Sequence, residues 1–190
     1  MAKKKTAKKA VMKKSKKSAP AMDQDAMMAA WEKVMHPSEG HRRLEPMVGT
    51  WRAKTTFTMT PGAPPSVEEN TSEHRLVLGG RFLEQRYTGT AMGMPFEGIG
   101  YTGYDNVQKK YVGTWMDNFG TGVMNSVGIG RPTEKAMNFL AEAVELTGKR
   151  AKFECKVKVQ DQDHHTYEMW AKAPNGRRYR SMIIEYTRKK

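Results

Sequence analysis

The sequence of 190 residues contains a single cysteine, Cys155, and no long apolar run. One thiol cannot form an intramolecular disulfide, which excludes a small secreted scaffold held together by disulfides. No stretch reaches the roughly 18 apolar residues that a membrane-spanning helix needs. The basic start also lacks the apolar segment of a secretory signal, because Pro20 and Asp23 follow it closely. These absences predict a cytoplasmic protein.

Acidic residues are absent from residues 1–20, whereas this segment holds nine lysines. The formal net charge of the chain is +13, so only +4 remains on the other 170 residues. A segment of Lys, Ala and Ser has little apolar surface to bury and is predicted to be disordered. Nine lysines without an arginine favour diffuse, non-specific binding to DNA or RNA phosphates, and a solvated tail without a partner is the alternative. The candidate polyanion-binding residues are Lys3, Lys4, Lys5, Lys8, Lys9, Lys13, Lys14, Lys16 and Lys17.

Helical spacing of apolar residues is confined to a short segment after this tail. Apolar residues from Met27 to Met35 recur at helical spacing, with Asp23 or Asp25 as the N-cap, and Pro37 ends the helix. The sequence therefore predicts a disordered tail over residues 1–20, a helical segment over 21–48 and a β-domain over 49–190.

From Gly49 almost to the end, apolar and polar residues alternate with a period of two. The run from Ala151 to Val159 is typical, since its lysines face water and Cys155 faces inward. About ten such runs follow one another, separated by turn residues, and none of the separators is long enough for a helical crossover. This pattern predicts an all-β fold, an antiparallel up-and-down β-barrel with the N-terminal helix beside or across one mouth. A two-sheet sandwich is the alternative, which periodicity does not separate from a barrel.

The glycines from Gly98 to Gly103 match the spacing of a dinucleotide-binding loop, but they lie inside a predicted strand that runs into a turn. We interpret them instead as glycines that let a barrel strand bend or admit the bulk of a neighbouring side chain.

The histidines and the cysteine do not form a recognisable reactive cluster in the sequence. His164 and His165 are adjacent and point to opposite faces of a strand, so they cannot bind one metal ion together. His36, His41 and His74 are predicted in loops or on a polar face. Cys155 is predicted to be an inert buried thiol. We therefore expect no metal and no cofactor.

Paired acids and indoles on the middle strands are the candidate binding groups. Trp115 shares a face with Asp117, and Glu168 shares a face with Trp170. A carboxylate in a barrel lumen is costly to bury without a partner, which marks it as a ligand site, with Arg86 or Arg81 as the counter-charge. Alternatively, these acids face solvent or form structural pairs, because period two does not label the inner face. The candidate ligand-binding residues are Arg81, Arg86, Glu97, Tyr101, Trp115, Asp117, Glu168 and Trp170.

Three blocks carry a resemblance to a known family: GGRFLEQRYTG from Gly79, PFEGIGYTGYDN from Pro95 and KKYVGTWMDNFGTG from Lys109. From about residue 39 to 189 the chain resembles the bacterial domain-of-unknown-function family 1579. The resemblance implies a lipocalin-like or calycin-like closed barrel and brings no established activity. The matching pattern also includes His41, Leu44, Val48 to Trp51, Glu168 and Tyr186 to Arg188. The matching positions with functional groups are Arg81, Glu97, Tyr104, Asp105, Trp115, Asp117, Glu168 and Arg188.

The sequence predicts a binding module that holds a small apolar or amphipathic ligand in the barrel lumen without covalent chemistry. The alternative is an enzyme that uses Asp117 or Glu168 as a general base beside an indole.

Overall fold

A computed structural model describes residues 23–130, 133, 135–145 and 147–190. The predicted disordered tail over residues 1–20 lies outside these residues. The chain divides into two units after Lys33. Helix α1 (Gln24–Met35) begins in the first unit, none of its residues is buried, and Asp23 Oδ1 accepts a hydrogen bond from Ala26 N at 2.8 Å. Asp23 is thus the N-cap.

No helix in the described ranges combines the length and the apolar character needed to cross a membrane.

The second unit is a closed antiparallel barrel of ten strands, in which every strand pairs with its neighbours in sequence and β1 pairs with β10. The closure confirms the predicted up-and-down barrel and excludes the two-sheet sandwich. Helix α2 (Glu39–Arg42) and a 3₁₀ turn (Glu45–Met47) precede the strands. The strands are β1 (Gly49–Phe57), β2 (Ser66–Val77), β3 (Phe82–Ala91), β4 (Met94–Asp105), β5 (Lys110–Asp117), β6 (Met124–Gly128), β7 (Ala136–Val144), β8 (Arg150–Val159), β9 (His164–Lys172) and β10 (Arg178–Arg188).

The alternation in sequence becomes the inner and outer face of the barrel. In β8 the cysteine Cys155 is buried whereas Lys152, Lys156 and Lys158 are exposed, as the pattern predicts. The register places Phe139 of β7 and Met169 of β9 opposite Cys155, so they share its inward face.

Helix α2 and the 3₁₀ turn close one end of the barrel, which we call the closed end. Leu44 and Met47 are buried in one apolar cluster with Leu83, Tyr111 and Met137, each the second residue of its strand. This packing removes apolar area from water, which stabilises the fold by about 25 cal/mol per Å². The segment that precedes β1 therefore plugs the barrel.

Arg188, the last residue of β10, fastens this plug. Its Nη1 and Nη2 donate to Val48 O at 2.7 Å and Pro46 O at 3.0 Å, and its Nε donates to Gln162 O at 2.7 Å. The guanidinium carbon lies 4.1 Å from the ring centroid of Trp51, which is fully buried. Arg188 thus joins the plug, the start of β1 and the β8–β9 turn.

We predict that Arg188→Lys lowers the free energy of unfolding by about 1–3 kcal/mol. An ammonium presents its donors from one point, so it cannot reach three separate carbonyls while it stacks on Trp51. Urea denaturation followed by tryptophan fluorescence measures the loss.

Arg178→Lys is the matched control, because Arg178 also stacks on an indole, at 4.3 Å from the centroid of Trp170, but on the exposed outer surface. We expect this change to stay within about 0.5 kcal/mol of the parent. Equal losses in the two variants would contradict the assigned role of Arg188.

Candidate functional site

The barrel encloses a cavity of about 400 Å³ that reaches the end opposite the plug. Phe57, Ser66, Ala91 and Asp117 all line it, and each is a terminal residue of its strand. We call this end of the cavity the mouth. Further lining residues are apolar or aromatic side chains of the inner face: Tyr87, Phe96, Trp115, Phe119, Met124, Phe139, Cys155, Val157, Tyr167, Met169, Met182 and Ile184.

The indole of Trp115 lies across β4 because that strand has glycine at the two positions beneath it. A Cβ atom at Gly98 would lie 2.2 Å from a ring atom of Trp115, and one at Gly100 would lie 2.8 Å away. Neither distance is possible for a real side chain, so glycine is required for this packing. The interpretation that these glycines admit a neighbour's bulk is confirmed, and the dinucleotide-loop match has a packing explanation.

Trp115 and Asp117 come together as the sequence predicts, on the inner face of β5. Trp115 Nε1 donates to Asp117 Oδ2 at 2.9 Å, and the backbone N of Phe119 donates to Asp117 Oδ1 at 3.0 Å. The carboxylate is therefore held in one orientation at the mouth.

A polar strip crosses the cavity wall on β1, β2 and β3. The hydroxyl of Tyr87 lies 2.6 Å from Thr55 Oγ1 and accepts a hydrogen bond from Asn70 Nδ2 at 3.2 Å. The Asn70 amide also exchanges two hydrogen bonds with the backbone of Thr90, at 2.8 and 2.9 Å. Sequence reasoning missed this strip, because neutral polar residues on an inward face do not stand out from those on an outward face.

Cys155 of β8, which is buried, and Tyr167 of β9, which is half-buried, form a hydrogen-bonded pair in the cavity wall. The Tyr167 hydroxyl donates to Cys155 Sγ at 3.1 Å, and burial raises the pKa of the thiol. A thiol kept protonated is a poor nucleophile. This environment agrees with the prediction of an inert buried cysteine.

Glu168 and Trp170 lie on the outer face of β9, so the prediction that Glu168 is a carboxylate in the lumen is wrong. The register of β9 turns Tyr167 and Met169 inward instead. Glu168 Oε1 lies 3.5 Å from Arg180, and its Oε2 accepts a hydrogen bond from Trp170 Nε1 at 3.2 Å. Period two fits either orientation of this strand, and only the packing decides between them. Of the two acids named in the general-base hypothesis, only Asp117 faces the lumen, and the hypothesis stays a prediction.

Arg86, one of the two arginines predicted as a counter-charge, belongs to a cluster on the outer face. Arg86 Nε and Arg75 Nε donate to Glu84 Oε1 at 3.0 and 2.8 Å, and the Tyr101 hydroxyl donates to Glu84 Oε2 at 2.9 Å. These hydrogen bonds, the one from Arg75 above all, lower the pKa of Glu84 to about 2. Neither Arg86 nor the Tyr101 hydroxyl is thus available to Asp117.

The remaining candidates serve turns and strand ends. Arg81 donates to the carbonyl oxygens of Met35 and Leu78, and Glu97 is exposed on β4. Of the positions carried over from the family pattern, Tyr104 packs edge-on against Tyr111, and Asp105 accepts two backbone hydrogen bonds in the β4–β5 turn.

The prediction that His74 lies in a loop or on a polar face is wrong, because His74 is buried on the inner face of β2, and His41 is likewise buried, in α2. His74 and His165 are buried with ring centroids 5.4 Å apart. His165 stacks on Tyr186 at 4.2 Å and meets the edge of Trp51 at 4.3 Å. The sequence does not identify this inward face of β2, because Asn70, Ser72 and His74 are polar and alternate with residues that are also polar or charged: Glu69, Thr71, Glu73 and Arg75.

Hydrogen bonds fix the position of the ring proton in only one of the two imidazoles, that of His74. His74 Nδ1 lies 3.1 Å from Met47 O, so this nitrogen carries the proton, and Nε2 lies 2.9 Å from Ser72 Oγ. His165 Nδ1 is buried without a hydrogen-bond partner among the described residues. Burial lowers the pKa of His74 to about 4, and burial with the nearby His74 and Arg188 lowers the pKa of His165 to about 2. Both rings are therefore neutral at pH 7.

We predict that the free energy of unfolding falls between pH 7 and pH 5. In this range the unfolded histidines, with a pKa near 6.5, bind protons that the folded protein excludes, so acid favours unfolding. Each histidine contributes about 1–2 kcal/mol to this loss by pH 5. Glu84 adds a loss only below its unfolded pKa of 4.5. Urea denaturation at pH 5, 6 and 7 measures the slope.

His165→Phe keeps the ring contacts, removes one of three histidines whose pKa is lowered, and should reduce this slope by about a third to a half. His36→Phe is the matched control on an exposed histidine and should leave the slope as in the parent. A slope that His165→Phe leaves unchanged would show that the buried ring does not exclude the proton.

Clusters of three or more histidine, cysteine, aspartate or glutamate side chains arranged to hold a metal ion are absent from the part of the chain that the structure describes.

Comparisons with known proteins agree with the barrel. A comparison with curated protein sequences finds no match. Among solved structures, the chain is similar to Rv2717c from M. tuberculosis, with a TM-score of 0.59 and 17% identity over 82% of this chain and 100% of that one. A redesigned β-barrel matches with a TM-score of 0.43 and 12% identity, over 78% of this chain and 96% of that one. The model of the family described as "Protein of unknown function (DUF1579)" matches residues 36–188, and the chain belongs to this family.

Proposed function

We propose that the barrel binds a small apolar or amphipathic molecule in its cavity and performs no covalent chemistry on it. The observation that carries the proposal is the cavity of about 400 Å³ with mainly aromatic, methionine and aliphatic walls. Ligand sites in proteins are typically concave spaces of about 300–1,000 Å³ with mostly apolar walls and a few oriented polar groups. The Tyr87–Asn70–Thr55 strip and Asp117 are such groups.

We expect the neutral fluorescent probe N-phenyl-1-naphthylamine to bind the full chain at one site with a blue shift of its emission. Ser126→Leu should weaken this binding at least about tenfold, because it fills the lumen, where Ser126 lines the cavity beside Gly113. Fluorescence titration measures the affinity, and thermal melting checks that the variant is folded.

Val127→Leu is the matched control, since Val127 is the next residue of β6 and faces outward. Equal probe affinities in the two leucine variants would overturn the proposal.

A separate proposal concerns the nine lysines of residues 1–20, which lie outside the described residues. We infer that they bind DNA or RNA non-specifically through phosphate contacts, in the cytoplasm that the sequence predicts. Their density, without an acid or an arginine in the segment, supports diffuse electrostatic contact.

We expect duplex DNA to bind the full chain with a log–log salt slope of about −5 to −8, if about six to nine phosphates are neutralised. Deletion of residues 2–18 should abolish this binding, because it removes the segment's nine lysines. Fluorescence anisotropy with a labelled duplex at several salt concentrations measures both quantities. Retained binding after the deletion would assign the DNA contact to the barrel.

A further inference from the structure

The cavity carries a charge opposite to that of the chain. The full sequence has 33 lysines and arginines against 20 acids. Among the described residues, the cavity lining nevertheless contains two acids, Glu68 and Asp117, and no lysine, arginine or histidine. The basic character of the protein is therefore excluded from its lumen.

Both carboxylates are half-buried and lack a cationic partner. Within the described ranges, no Lys, Arg or His nitrogen lies within 4.0 Å of either group. The hydrogen bonds to Asp117 come from an indole N–H and a backbone N–H, and Glu68 Oε1 accepts one from Met92 N at 2.7 Å. These donors orient the carboxylates without neutralising them. Partial burial strengthens their attraction for a cation that enters the cavity.

Four aromatic residues of the cavity wall form a chain of ring contacts, and two of them donate hydrogen bonds to Asp117. Tyr87 and Phe96 meet at a centroid distance of 5.8 Å, Tyr87 and Trp115 at 6.4 Å, and Phe96 and Phe119 at 5.1 Å, all edge-to-face. Trp115 and Phe119 also supply the two hydrogen bonds to Asp117. Aromatic faces attract organic cations, and several faces beside a carboxylate are the usual arrangement for binding an alkylated ammonium group.

We propose that the cavity selects organic cations, namely an alkylated ammonium group on an apolar body, with the charge at the mouth near Asp117 and Glu68. This inference rests on the proposed lumen binding and deepens it by naming the ligand class. An anionic amphiphile such as a fatty acid would place a third negative charge beside two half-buried carboxylates that have no cation to offset it. The cavity therefore discriminates against the ligands with a carboxylate head.

The test compares three amphiphiles that share one alkyl chain and differ in the charge of the head: octyltrimethylammonium, octanol and octanoate. Each displaces N-phenyl-1-naphthylamine from the full chain at pH 7 in low salt, below its micelle concentration. We expect the ammonium compound to bind at least about tenfold more tightly than octanol, and octanoate to bind most weakly. Raising the salt concentration should weaken only the binding of the ammonium compound appreciably.

Charge-removing variants locate the effect. Glu68→Gln and Asp117→Asn should each weaken the binding of octyltrimethylammonium several-fold and leave that of octanol unchanged. Glu69→Gln is the matched control, because Glu69 neighbours Glu68 on β2 and is exposed on the other face. Octanol binding also verifies that each variant keeps its cavity.

The outcomes separate this inference from the proposed function. If the probe binds in the lumen but octyltrimethylammonium binds no more tightly than octanoate, the selection for cations is overturned and lumen binding stands. The same holds if Glu68→Gln, Asp117→Asn and Glu69→Gln all leave the preference intact. If neither the probe nor any octyl compound binds, the proposed function itself fails.

Discussion

The closure of one barrel end by Arg188 and Trp51 is the constraint on which the rest of the structure depends. The lumen of a ten-stranded barrel is too wide for a few side chains to fill. Without a plug, water would enter this lumen from both ends. The buried indole donates to Met47 O at 2.9 Å while the guanidinium above it holds Val48 and Pro46. These contacts tie the last residue of β10 to the segment before β1. The family segments around Val48–Trp51 and Tyr186–Arg188 therefore meet at one structural site, the closed end of the barrel.

The division of the lumen follows from this closure. Near the plug, Leu44 and Met47 fill the space between the strands. Toward the mouth, β4 presents Gly98 and Gly100, and Trp115 lies across them close to the wall. An indole flattened against a strand leaves the centre of the barrel empty, whereas a large side chain on β4 would displace it inward. The cavity therefore depends on the positions of the glycines on β4. The negative charge at its mouth depends on which acids face inward.

The sequence predicts which way a side chain points only where the chemistry of the residue fits one face of the strand and not the other. β8 was predictable because lysines cannot be buried without a partner, so Cys155 had to face inward. The inward face of β9 was not predictable, because Glu168 and Trp170 alternate with Tyr167 and Met169, and either pair suits a half-buried face. In β2 the inward residues Ser72 and His74 are themselves polar. Their burial depends on the hydrogen bond that His74 donates to Met47 O and the one that Ser72 accepts from Gln85, both residues of other segments.

By itself, the sequence determined the number of strands, their antiparallel order, the family and the concentration of lysine in residues 1–20, because each of these is a property of local pattern and composition. Only the tertiary structure decided that the sheet closes, that Trp115 and Asp117 face the lumen while Glu168 does not, and that the lumen excludes the chain's basic residues. The physical reason is that a strand's two faces are equivalent until packing against other strands buries one of them. The candidate site is made of residues from many strands, so no local pattern contains it.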